Sequence, residues 1–323
     1  FVKLGYAAGL VLTKNIKGNK KPSVVIGKDT RISGYMLESS LEAGFSSAGV
    51  DVYLTGPIPT PAIAFLTQSL IADIGIMITA SHNPYEDNGI KLFSGNGTKL
   101  SDEVENEIEE MIESEIKCVE PSKLGKARRL DNARAQYIEF CLKTIPKKLN
   151  LKNYKIVLDC AHGATYQVAP EIFRMLGADI VLINHEPDGL NINFQAGSTH
   201  PEFLIDNVKS HKADLGIAFD GDGDRVIMVS DQGELVDGDQ ILYLIMDYHH
   251  NQNKLKGGIV GTLMTNLALE EKCKSLDISF ERTDVGDRYV SEMLRKKSWE
   301  IGGENSGHIV LLNHHSTGDG IIS

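Results

Sequence analysis

One order of elements recurs three times in this chain and constrains the fold more than any other feature. Each copy reads as strand, helix, strand, helix, strand, and then a glycine-rich or polar loop. The first runs from a strand at Val24–Gly27 through a helix over Met36–Ala48, a strand over Val50–Leu54 and a helix over Pro61–Ser69. Its last strand, Ile74–Ile78, ends in Thr79-Ala80-Ser81-His82-Asn83-Pro84. The second starts at Ile156–Leu158, takes helices near Val168–Leu176 and Glu202–Ser210 around a strand at Ile180–Ile183, and closes on Leu215–Phe219. Asp220-Gly221-Asp222-Gly223-Asp224-Arg225 follows. The third starts at Gly258–Val260, with helices near Leu267–Lys274 and Arg288–Lys296 and a strand at Ile278–Glu281. Its final strand, near Trp299–Ile301, leads to Gly302-Gly303-Glu304-Asn305-Ser306-Gly307-His308.

Short apolar strands alternating with helices imply βαβ units, whose parallel strands are covered on both faces. Ligands of such sheets bind at the carboxyl ends of strands. All three polar loops sit at that end of the same strand of their copy. The expected fold is therefore three tandem α/β domains with mixed, mostly parallel sheets converging on one central cleft. A length of 323 residues suits two or three domains rather than one. The expected boundaries are 1–135, 136–237 and 238–323. Within them, 103–115 reads as an acidic helix, 121–129 as an exit from the first domain and 136–147 as a connecting helix.

Charge and cysteine usage narrow the function classes. A net charge of -11 disfavours nucleic acid and anionic membranes as partners, because a phosphate polymer would be repelled. A small phosphate ligand feels only local charge, but an acidic protein that handles one needs a cation or local basic groups. Cys118, Cys141, Cys160 and Cys273 form no C-x-x-C pair, and such sparse thiols suit a reducing cytoplasm. The apolar run Ile241–Met246 is too short for a bilayer and lies between Asp239 and Asp247. The chain opens on Phe1 in an already helical pattern and stops after Ile321-Ile322, so both ends read as cuts in a longer protein.

Each loop has a bland and a sharp reading. In the first, Pro84 forces Asn83 towards extended geometry and Asn88-Gly89 supplies a tight turn. Ile90, Leu92 and Phe93 then resume a strand, which brings Lys91 back towards Ser81. Alone, this is a polar turn. A serine-hydrolase reading is weaker, since Ser81 lacks a G-x-S-x-G elbow. In the second loop, three carboxylates at i, i+2 and i+4 with glycines between them can face one point. They would repel unless a cation lay among them, and hard oxygen ligands suit Mg²⁺. The alternatives are a solvated acidic turn and an EF-hand. The EF-hand fails because Arg225 stands where Gly is required and Asp231 where Glu is required. In the third loop, Glu304, Asn305 and Ser306 could meet sugar hydroxyls, although a polar turn would carry the same residues.

Taken together, Thr79-Ala80-Ser81-His82-Asn83-Pro84 with Asn88-Gly89-Ile90-Lys91, then the aspartate loop, then Gly303-Glu304-Asn305-Ser306-Gly307-His308, resemble the phosphoserine, metal and sugar loops of the α-D-phosphohexomutase superfamily. The resemblance covers essentially the whole chain. It implies an isomerase in which Ser81 carries a phosphoryl group and, with Asp220, Asp222 and Asp224, binds Mg²⁺. Lys91 would serve as general acid/base or electrostatic aid, its pKa lowered by burial beside the metal, with His82 and His308 as secondary candidates. Glu304, Asn305, Ser306 and Arg225 would contact substrate. The last loop and Val285-Gly286-Asp287-Arg288-Tyr289-Val290 most resemble the bacterial amino-sugar branch. That branch interconverts glucosamine 6-phosphate and glucosamine 1-phosphate through glucosamine 1,6-bisphosphate, which also activates the enzyme, and supplies cell-wall precursors. The competing branch acts on mannose and glucose phosphates. A sugar-phosphate phosphatase and a non-catalytic sugar-phosphate-binding module are the readings from other classes. The resemblance implies a cytoplasmic enzyme, leaves a homodimer open, and places outside this sequence both a first glycine/arginine loop and a fourth domain that grips the non-reacting phosphate.

Overall fold

The computed structural model describes residues 1–14 and 20–323. The first unit comprises α1 (Val2–Thr13), β1 (Ser23–Lys28), α2 (Ser33–Ser47), β2 (Asp51–Pro57), α3 (Thr60–Ser69), β3 (Ile74–Ile78), β4 (Ile90–Ser94), α4 (Asp102–Ile112) and β5 (Ala127–Arg129). The helix α5 (Ala133–Thr144) leads to β6 (Lys155–Asp159), α6 (Val168–Met175), β7 (Asp179–Ile183), α7 (Glu202–His211), β8 (Leu215–Phe219), β9 (Val226–Ser230) and β10 (Leu235–Val236). The third unit comprises α8 (Gly238–Asn251), β11 (Ile259–Thr262), α9 (Leu267–Ser275), β12 (Phe280–Thr283), α10 (Asp287–Lys297), β13 (Ile301–Gly303) and β14 (Ile309–Leu311).

The three sheets share one plan. Their strand orders are β4-β3-β1-β2-β5, β10-β9-β8-β6-β7 and β12-β11-β13-β14. Each contains three parallel strands with a further strand returning antiparallel beside the third, and the first sheet adds β5 parallel to β2 while the second adds β10 antiparallel to β9. Each polar loop is thus the tip of a hairpin. The return strand of the first unit is visible in the sequence as Ile90–Phe93. The other two, β9 and β14, are the apolar runs at 226–229 and 309–311, which lie outside the repeat pattern expected from the sequence.

Apolar runs become the central strands because both faces are covered, and β1 and β3 are buried along their whole length. The helices α1 and α2 approach closely because Gly44 has no side chain, and a Cβ there would lie 2.3 Å from the carbonyl oxygen of Val2. In the third unit, β12 and β13 start two residues later than the sequence patterns suggest. The cause is the same at both sites. Asp277 and Ser298 take left-handed conformations that end the preceding helices (φ 56° and 55°). The next amides, of Ile278 and Trp299, bond back to the carbonyls of Cys273 and Leu294, each at 2.9 Å. The first apolar residue of each run therefore caps a helix instead of starting a strand.

One further difference concerns the junction after the first unit. Ala127–Arg129 belongs to the first sheet, pairing parallel with β2 from Val52↔Ala127. The run Ile241–Met246 lies in α8, a helix started by a reciprocal capping box between Asp237 and Gln240. The buried side of α8 joins the second and third sheets, with Ile241, Leu242 and Met246 in one core with Phe219, Val226, Ile259 and Ile309. No helix among the described residues is long and apolar enough to cross a membrane.

Candidate active site

The three hairpin tips, 79–89, 220–225 and 304–308, meet. Ser81 is held in a left-handed conformation (φ 51°), rare for a residue with a side chain. Its amide donates to Thr79 Oγ1 at 2.9 Å, and its hydroxyl donates to Asp220 Oδ2 at 2.8 Å across the boundary between the first two sheets. Lys91 stands opposite Met77 on the β3–β4 ladder. Its ammonium donates to Oδ2 of both Asp222 and Asp224 at 2.7 Å.

The acidic triad is almost entirely withdrawn from water, with Asp220, Asp222 and Asp224 only 1%, 0% and 3% exposed. Gly223 makes the turn with φ 74°. Gly221 allows the serine loop to sit against the turn, since a Cβ there would lie 2.6 Å from the Ser81 carbonyl oxygen. Burial, and then repulsion from Asp222 and Asp224, pushes the Asp220 carboxyl well above its ordinary range. Burial would do the same to Asp224, but Lys91 and His308 outweigh it and hold Asp224 well below. For Lys91, burial alone would favour the neutral amine. The two carboxylates prevail and keep it charged, opposite to the lowered lysine expected from the sequence.

This set of groups suits a hard divalent cation. One oxygen from each aspartate lies within 4.8 Å of the others. Oδ1 of Asp222 and Oδ1 of Asp224 are buried with no hydrogen-bond partner, among the described residues, and are free to ligate. Asp220 Oδ1 instead accepts the Arg225 amide at 3.1 Å.

The third hairpin forms the facing wall. Glu304 accepts the Gly286 amide at 3.0 Å, and the Val226 amide donates to the Gly307 carbonyl at 3.0 Å, joining this tip to the strand after the aspartates. His308 stands between two carboxylates, with Nδ1 3.6 Å from Asp224 Oδ1 and Nε2 3.5 Å from Asp287 Oδ2. A cavity of about 440 Å³ opens among Ser81, Lys91, Asp224, Arg225, Glu304, Asn305, Ser306 and His308. That volume suits a small ligand. His82 lies elsewhere, lining a separate cavity with Tyr85, Asn193 and Phe194. Burial and the charge of Arg225 hold its imidazole below the usual range.

Three contributors to this site were missed from sequence. Thr60, at the first turn of α3, donates its hydroxyl to Asp222 Oδ2 and its amide to the Asp222 carbonyl, the latter at 2.8 Å. Lys99 and Asp287 pair with each other on the cavity wall. Asp287 carries a usable signal, since it starts α10 beside the Val285-Gly286 turn. Thr60 carries none beyond its place before a proline.

Comparison with known proteins fixes the family. Models of the phosphoglucomutase/phosphomannomutase α/β/α domains I, II and III match residues 1–118, 135–233 and 237–323. A phosphoglucosamine mutase of Nitrosospira multiformis is 56% identical over 325 residues, covering 100% of this chain and 70% of that protein. The chain belongs to the phosphoglucomutase/phosphomannomutase family. A phosphoglucosamine mutase of Aeromonas hydrophila is 58% identical over 322 residues, again across 100% of this chain and 72% of the relative. Among solved structures, a putative phosphomannomutase from Thermus thermophilus superposes with a TM-score of 0.87 at 26% identity, covering 99% of this chain and 72% of that one.

Proposed function

We propose that the chain carries the phosphoryl-transfer site of a phosphoglucosamine mutase, which interconverts glucosamine 6-phosphate and glucosamine 1-phosphate through a phosphoserine at Ser81. The supporting observation is the Ser81 hydroxyl 2.8 Å from Asp220, inside a buried acidic triad that also receives Lys91. Identities of 54–58% to proteins named phosphoglucosamine mutase support the amino-sugar substrate.

Each residue then has a task. Phospho-Ser81 gives its phosphoryl group to a sugar hydroxyl, whose proton is taken up by a neighbouring base, and a 1,6-bisphosphate results. The sugar reverses in the cavity and returns its other phosphoryl group to Ser81, so the serine phosphate is regenerated. Asp220, Asp222 and Asp224, with an oxygen of the Ser81 phosphate, would hold Mg²⁺, which neutralises charge on the transferred group when bound. Lys91, kept charged by Asp222 and Asp224, supplies positive charge beside the transferring oxygens and is an acid candidate rather than a base. His308, between Asp224 and Asp287, is the acid/base candidate on the cavity wall, and His82, which lines a separate cavity, is a secondary one. Glu304, Asn305 and Ser306 engage sugar hydroxyls, and Arg225 engages sugar or phosphate. Glucosamine 1,6-bisphosphate is both intermediate and activator. We divide the chain at 135/136 and 237/238 and assign the non-reacting phosphate to a further C-terminal domain. A cytoplasmic site of action follows from the phosphorylated substrates.

Substrate comparison tests the reading. Glucosamine 6-phosphate should turn over at least about tenfold faster, by kcat/KM, than glucose or mannose phosphates. Preference for mannose or glucose phosphates would move the chain to the phosphomannomutase/phosphoglucomutase branch. Steady release of free phosphate without isomerisation would make it a phosphatase.

A further inference from the structure

Arg31 has the chemistry of an anion-binding residue but serves none of the site's anions. It is 1% exposed and absent from the cavity wall. Its charge is met by Asp29, with Nε donating to Asp29 Oδ2 at 2.9 Å and the Arg31 amide donating to Asp29 Oδ1 at 3.0 Å. The rest of its fork goes to one loop. Its terminal nitrogens donate to the carbonyls of Ser81 at 3.2 Å, Asn83 at 2.8 Å and Pro84.

A second donor reaches two of the same carbonyls from a turn of the second unit, between β7 and α7. Asn193 Nδ2 donates to the Ser81 carbonyl at 2.8 Å and the Asn83 carbonyl at 3.0 Å. Asn193 is 5% exposed and itself left-handed, with φ 59°. The base of Arg31 is anchored in turn, because the Asp29 amide donates to the Ile78 carbonyl at the end of β3. Donors from loops of two units thus hold the backbone around Ser81, which takes its uncommon φ there. They fix the serine relative to Asp220.

We infer that Arg31 and Asn193 are positioning residues for the reaction, clamping the Ser81 loop so that the serine oxygen meets both half-reactions in one place. The inference rests on the mutase reading for its kinetic consequence, but the clamp itself is a statement about the loop. The reason for such a device is geometric. Transfer requires near-ideal alignment, and a displacement of about 1 Å can cost on the order of a hundredfold in rate. The rigid guanidinium fork spans Asp29 and three carbonyls together, whereas the three donors of an ammonium radiate from one atom and cannot reach all four.

Arg31→Lys keeps the charge against Asp29 and removes the fork. Asn193→Gly removes the amide while tolerating a left-handed backbone. Measured in the native enzyme, each should lower kcat by about tenfold to a hundredfold with KM for the sugar phosphate within about twofold. Each should also speed amide hydrogen exchange in residues 79–89 at unchanged exchange in the Asp220 turn. Wild-type kcat and exchange in both variants would overturn the inference. So would a loss of activity that merely tracks the fraction of unfolded protein. Ser81→Ala run alongside separates the two claims. If it retains activity, the mutase reading fails while the exchange result still judges the clamp. If it is inactive and the clamp variants are normal, only the clamp fails.

Discussion

The serine hairpin and the aspartate hairpin are the same element of the same repeat, yet they are built in opposite ways. The aspartate tip spans 220–225, is buried except for Arg225, and is shaped by its own glycines. The serine tip spans 79–89, is buried nowhere along 81–89, and is held by donors that lie outside it, Arg31 and Asn193. On the proposed function, the first would be a prefabricated cup for a cation and the second a carrier that presents a serine to substrate and is held from behind. A loop that exchanged a phosphoryl group with ligands would need exposure, and its precision would have to be supplied from elsewhere.

The largest effect that could break this contrast comes from Ser81→Ala. It should lower kcat by at least about a thousandfold, while the melting temperature stays within about 2 °C, because the side chain is half-buried and has one partner. A steady-state assay and a thermal scan check both halves. Next, Asp222→Asn should weaken magnesium binding by about tenfold or more, read by calorimetry, because one of the two unpartnered ligand oxygens is lost.

Asp220→Asn sharpens the comparison. Burial and two neighbouring carboxylates raise the Asp220 pKa, so its ionised form costs stability at neutral pH. Without metal, the amide should raise the melting temperature by roughly 2 °C or more. With saturating magnesium, the variant should lose that advantage. A fall in the metal-free melting temperature would mean that the cup is not self-repelling.

The smallest effect concerns the support beneath the aspartate tip. The Gly320 amide donates to the Gly223 carbonyl at 3.1 Å, and next to it buried Asp319 accepts the Tyr137 hydroxyl at 2.7 Å. Burial pushes the Asp319 carboxyl up to about 6 and the neighbouring His315 down to about 4. A raised carboxyl stabilises the fold below its unfolded pKa, and that contribution is lost as pH climbs towards 6. A depressed imidazole does the reverse, its cost growing as pH falls from the ordinary histidine range towards 4. The two slopes oppose each other. Asp319→Asn should leave stability rising with pH between about 4 and 6.5, and His315→Gln should leave it falling between about 4 and 6. Chemical denaturation at several pH values checks both signs.

The sequence was most informative where function is local. Asp-Gly-Asp-Gly-Asp carries its turn and its three carboxylates within five residues, and apolar runs marked the central strands. It was least informative where one residue acts across the chain. Thr60 reaches Asp222 over 162 positions and Asn193 reaches Ser81 over 112, separations at which no local pattern exists. The return strands β9 and β14 were hidden for a related reason. They follow tight tips directly, and their apolar residues acquire a direction only when paired. Strand starts at Phe280 and Ile301 slipped because helix caps claimed the residues before them.

The central claim is that the Ser81 oxygen carries the phosphoryl group, and phosphopeptide mass spectrometry of the native protein reads it directly. After incubation with glucosamine 1,6-bisphosphate and magnesium, phosphate should be found on Ser81, and it should disappear when the protein is then supplied with excess glucosamine 6-phosphate and the bisphosphate is removed. An unmodified Ser81 under every condition, in protein that still interconverts the sugar phosphates, would contradict it.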